Sequence, residues 1–73
     1  MSGKSMDEQA FNTSVRALLK KVGITSQRAL EQAAHDAIAN GRLSGNEAIA
    51  VQVRLESELL EQPLVIDGTV NLS

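Results

Sequence analysis

The stretch Val22-Gly23-Ile24-Thr25-Ser26-Gln27-Arg28 decides how the first half of this 73-residue chain is read. Gly23 can take the left-handed conformation that closes a helix C-terminus, and Ile24 stands where a Schellman cap returns an apolar side chain to the last turn. Thr25 or Ser26 can then cap a second helix, whose first N–H groups otherwise lack partners. These residues predict a corner between two helices, an αα-hairpin.

Upstream of the corner, Ser5-Met6-Asp7-Glu8 has the S-x-x-E form of a capping box. Phe11, Val15, Leu18, Leu19 and Val22 follow at the spacing of one amphipathic stripe, so the first helix is expected over residues 6–22. Arg16, Lys20 and Lys21 lie off the stripe near that helix's end, where cations complement the dipole. Gly3-Lys4-Ser5 matches only the end of a phosphate-binding loop and lacks the earlier glycine and the preceding strand.

Downstream, a second helix is expected over residues 26–40, with Leu30, Ala34, Ala37 and Ile38 on one face and Gly41 as the stop. Gln27, Arg28, Glu31, His35 and Asp36 make its polar face, and Glu31 is one turn from His35, in reach of a pair. Arg42-Leu43-Ser44-Gly45-Asn46 is turn chemistry, with Leu43 the anchor of the loop.

The period then changes to two. Ile49, Val51, Val53 and Leu55 alternate with Ala50, Gln52, Arg54 and Glu56, the pattern of a half-buried strand. Residues 57–63 read as a loop in which Leu59 and Leu60 cover one end of the core. The tail has two readings. Asp67-Gly68 is a strong hairpin signal; alternatively residues 64–72 form one strand with a bulge at Gly68, placing Leu64, Ile66, Val70 and Leu72 on one face. The second is preferred, because it pairs a long strand with a long strand and gathers four large side chains. The expected fold is α+β, in the order α-α-β-β: a two-stranded antiparallel ribbon on a helical hairpin. Residues 1–4 are read as a disordered start and residues 5–73 as a single small domain.

Composition bounds the function. A chain of this length buries only about 60–65% of the surface its unfolded form exposes. Phe11 is the only aromatic residue and there is no cysteine, so neither a disulfide nor a thiolate metal site helps. Self-association is a common remedy for such a chain. Net charge is −2, split as +2 over residues 1–42 and −4 over residues 43–73, which argues against a generic nucleic-acid or anionic-membrane binder. The start lacks a signal-peptide core, so a cytoplasmic setting is expected.

No constellation of catalytic residues stands out. His35 is the only histidine and lacks the ligand spacing of a zinc site, and there is no nucleophile elbow. No enzyme activity, cofactor or metal is expected. A helix opening with Thr25-Ser26-Gln27-Arg28 has the polar side chains of a recognition helix, with the ribbon as a wing. Against this, Leu19 stands where the motif has a small residue, a third helix is missing, and Glu31 and Asp36 would repel phosphates.

Several segments together resemble a family of small bacterial proteins of unknown function. They are Phe11-Asn12 with Ser14-Val15-Arg16, Leu19-Lys20, the corner itself with Glu31, Ala37-Ile38-Ala39, Gly41-Arg42-Leu43, Gly45-Asn46-Glu47 and the Asp67-Gly68 tail. The resemblance covers most of residues 11–72 and implies no activity. It directs attention to the corner and to the loop after Gly41. The expected interaction surface is therefore Thr25, Ser26, Gln27, Arg28, Glu31, Arg42, Asn46 and Glu47. The expected function is a non-catalytic protein-interaction module, homodimeric or binding an unknown protein, with a minimal winged helix-turn-helix DNA binder as the alternative.

Overall fold

A computed structural model describes residues 5–73, and the expectations for residues 1–4 lie outside it. The element order is α1 (Glu8–Ala39), β1 (Ala48–Leu55) and β2 (Leu64–Asn71). The fold is therefore α+β, with one helix where two were expected. Contacts divide the chain into a unit ending at Asp36 and a second unit, Ala37–Ser73.

In the first unit α1 begins on Asp7, not on the Ser5 capping box. The Asp7 carboxylate accepts the Ala10 N–H at 3.1 Å, and its carbonyl accepts the first helical bond from Phe11 at 2.9 Å. The helix then runs through Gly23, so the predicted corner does not form and there is no helical hairpin for the ribbon to lie on. Magnitudes explain why. Gly23 inside a helix costs about 1 kcal/mol relative to alanine. A break there would orphan as many as four C=O groups on one side and four N–H groups on the other. The apolar phase also carries through the corner: Val15, Leu18, Leu19 and Val22 continue into Ser26, Ala29, Leu30 and Ala33 on the same face. Ile24, which would have anchored a Schellman cap, stands on the other side of the helix and is exposed.

The second unit opens with the true helix stop. Gly41 has φ 85°, its N–H donates to the Ile38 carbonyl at 3.2 Å, and the Arg42 N–H donates to the Ala37 carbonyl at 2.8 Å. That is a complete Schellman motif on the glycine expected to end the helix. The Leu43 N–H also reaches the Ala37 carbonyl, at 3.1 Å, and Leu43 is half-buried as the expected anchor. Ala37, 5% exposed, is the only buried hydrophobic residue among those described.

β1 and β2 pair antiparallel without interruption from Ala48↔Asn71 to Leu55↔Leu64. Gly68 faces Val51 one-to-one, so there is neither a hairpin at Asp67-Gly68 nor a bulge. The bulge was unnecessary: Leu64, Ile66, Gly68, Val70 and Leu72 already share a parity, and period two keeps them on one face. A type I′ turn would need positive φ at its two central residues, and neither Asp67 nor Gly68 has it. Opposite them on that face stand Ile49, Val51, Val53 and Leu55, giving the cross-strand pairs Ile49↔Val70, Val53↔Ile66 and Leu55↔Leu64. On the other face the Gln52 amide donates to Asp67 at 3.1 Å. The connection is the expected loop, but Leu59 is 84% exposed and covers nothing.

Two glycine substitutions check the continuous helix by opposite signs. Gly23→Ala, whose Cβ meets nothing within 4 Å, is expected to raise helical ellipticity and stability by about 0.5–1 kcal/mol. Gly41→Ala is expected to lose about 1 kcal/mol or more, because φ 85° strains any L side chain. Thermal unfolding followed by circular dichroism reads both, and a destabilised Gly23→Ala would restore the corner.

Candidate interaction surfaces

The residues expected to form one surface fall into two sets, one in each unit. Thr25, Ser26, Gln27, Arg28 and Glu31 lie in the middle of α1, where their N–H groups are inside the helix and present no free helix start. Ser26 is half-buried and the other four are exposed. The Gln27 amide donates to the Glu31 carboxylate at 3.3 Å, so Glu31 pairs back along the helix with Gln27 instead of forward with His35. Farther on, the Gln32 amide donates to Asp36 at 3.0 Å in the same spacing. Leu18, Lys21, Val22, Thr25 and Ser26 outline a shallow open groove on this helix.

Arg42, Asn46 and Glu47 form the second set. The Asn40 side-chain oxygen accepts from the Arg42 backbone N–H at 3.2 Å and from its guanidinium Nε at 3.3 Å, which pins the side chain beside the helix cap. The loop that follows turns three consecutive N–H groups onto the Glu47 carboxylate. Ser44 donates to Oε2 at 2.9 Å and to Oε1 at 3.1 Å, Gly45 to Oε1 at 3.0 Å, and Asn46 to Oε1 at 3.2 Å. Gly45, at φ 106°, supplies the backbone sense that such a concave nest requires. The Glu47 carbonyl accepts the Leu72 N–H at 3.0 Å, extending the ladder beyond the end of β1. Glu47 thus closes its own loop at the root of the ribbon. Its spacing of two and three residues from Gly45 and Ser44 was the available signal for that role, and the sequence reading took it for surface chemistry.

Sequence reasoning missed the larger feature, the number of big apolar side chains left open to solvent. In the first unit Leu18 is 50% and Leu19 60% exposed, and in the second Ile66 is 53% exposed. Among the described residues no group of three or more His, Cys, Asp or Glu is placed to hold a metal, and no helix is long and apolar enough to cross a membrane.

The hydrogen bonds from Ser44 and Gly45 hold the Glu47 carboxyl below the usual glutamate range. Because the folded value is depressed, the ordering this carboxylate provides is complete above the ordinary glutamate pKa. It is lost as pH falls through the lowered one. The Ser44 and Gly45 amide resonances are expected to report that titration in acid, and Glu47→Gln to abolish it. Amide shifts that move with an ordinary glutamate midpoint would remove the carboxylate from the nest.

No curated protein and no solved structure matches this chain. A family profile does, over residues 6–73, and it spans the helix, the Glu47 loop and the ribbon whose geometry is given above. The chain accordingly belongs to that family, described as a family of unknown function (DUF6494).

Proposed function

We propose that this protein is a non-catalytic protein-interaction module that works as a homodimer in the cytoplasm. One observation carries the reading: Ala37 is the only buried hydrophobic residue among those described, while large apolar side chains recur at helical spacing on α1 and at strand spacing on the ribbon. A soluble monomer rarely leaves contiguous apolar surface of that kind uncovered, and such patches mark association sites. Covering them removes apolar area from water at about 25 cal/mol per Å², the stabilisation a short chain without disulfides lacks. The ribbon adds a second resource, since a two-stranded sheet has two open edges that accept further strands.

The alternative, DNA binding by a winged helix-turn-helix, required a helix start at Thr25-Ser26-Gln27-Arg28. These four residues lie inside α1, so no observation favours that reading.

Light scattering from micromolar to millimolar protein is expected to give twice the 7.8 kDa of one chain. Leu19→Lys, which places a charge at the most exposed leucine of the stripe, is expected to shift the mass toward one chain. Monomer mass for the unmodified protein throughout that range would overturn the proposal.

A further inference from the structure

The two edges of the ribbon are not alike. Leu72 donates its N–H to the Glu47 carbonyl, and in an unbroken antiparallel ladder inward and outward groups alternate from that bond. The N–H and C=O groups of Ala48, Ala50, Gln52 and Arg54 therefore point out from β1, and those of Val65, Asp67, Thr69 and Asn71 point out from β2. The β1 edge is guarded: Arg54 and Glu56 form an ion pair at 2.9 Å along it, and charged side chains on an edge strand deter further pairing. Ile49 and Val51 of that strand are also half-buried. β2 is exposed at every residue, and its one charged side chain, Asp67, already accepts the Gln52 amide.

We propose that β2 pairs with β2 of a second copy, antiparallel about a two-fold axis at Gly68, to give one four-stranded sheet. The inference rests on the self-association proposed above and assigns to it an edge and a register. Parity requires outward residues of the two copies to oppose each other, so the axis must pass through a residue position. An axis at Gly68 pairs every residue from Leu64 to Leu72. On the apolar face it sets Leu64 on the partner's Leu72 and Ile66 on the partner's Val70, and on the other face it sets Asp67 opposite the partner's Thr69, whose hydroxyl can donate to the carboxylate. An axis one residue earlier places Asp67 on the partner's Asp67, like charges directly opposite. An axis one residue later carries Leu64 and Val65 past the end of the partner's ladder. The interface is isologous, so each contact away from the axis occurs twice. Addition of a strand to an open edge draws its affinity from main-chain hydrogen bonds, which β2 offers along its whole length.

With no native cysteine, single cysteines report the register. Gly68→Cys comes first, because a Cβ there meets nothing within 4 Å and the glycine φ is not positive. On the axis its Cα stands about 4.5 Å from its own copy, within disulfide range, and mild oxidation is expected to give covalent dimer. Ile66→Cys or Val70→Cys alone stands about 14 Å from its own copy, at about 3.4 Å per residue, and is expected to give at least about tenfold less. An equal mixture of those two is expected to crosslink as heterodimer. Equal yields from all three alone would mean no fixed register, and a dimer by light scattering that crosslinks in no case would place the interface away from the β2 edge. Both results overturn the inference and leave self-association standing. Monomer mass overturns both.

Proline at one edge or the other asks the same question without cysteine, and keeps it answerable if a cysteine variant folds poorly. Thr69→Pro removes an N–H that the ribbon's own ladder does not use, so it costs the ribbon no hydrogen bond and the dimer one from each copy. It is expected to raise the dimer dissociation constant at least about tenfold, while Ala50→Pro, its cross-strand neighbour on the β1 edge, changes it less than about twofold. Equal effects, or the reverse order, would overturn the inference.

Discussion

The carbonyl of Ala37 is the point on which the second unit depends. It accepts the N–H groups of both Arg42 and Leu43, and it does so only because Gly41 turns the backbone into the left-handed region. That pair of bonds ends the helix, buries Ala37 and seats Leu43. The chain then enters the nest around Glu47, whose carbonyl receives Leu72, and the strand register follows from there. Each step uses backbone groups that the previous step leaves unpaired, which is how a segment with few large buried side chains still specifies one course.

The same economy leaves the chain short of hydrophobic burial. A fold of one helix and two strands has one apolar stripe and one apolar sheet face, and stable domains arise when such faces are packed on something. Here the described residues include one buried alanine and many exposed large aliphatics. Hydrogen bonds alone do not make up the difference, since each contributes only about 1 kcal/mol net. These exposed apolar side chains are thus the observation on which the proposed self-association rests, ahead of any individual polar group.

The polar residues singled out in advance have mostly local employment. Glu47 ties its own loop, Arg42 is held by Asn40, and Glu31 by Gln27. Those pairings span one to four residues, the range in which side chains serve backbone and helix geometry before they serve a partner. The match to a family of unknown function covers residues 6–73 and so takes in the helix stop, the nest and the ribbon together.

Sequence by itself determined the local events. The Gly41 stop, the Leu43 anchor, both strands and the shared face of Leu64, Ile66, Val70 and Leu72 are legible because each rests on a periodicity or on a cap within a few neighbours. It misjudged the place where a stop-and-restart signal competes with a continuous helical phase. At Gly23 a glycine followed by Thr25-Ser26 reads as stop and restart, yet the unbroken 3.6-residue phase and the cost of orphaned backbone groups outweigh one helical glycine. At Asp67-Gly68 the single strand preferred from sequence over the turn is the one that forms, but without the expected bulge, in a register pairing eight consecutive residues on each strand. Only the three-dimensional structure decided against the corner and against the bulge, because the winning term in both cases is cooperative. It sums over a whole helix or ladder, and no short window of sequence contains it.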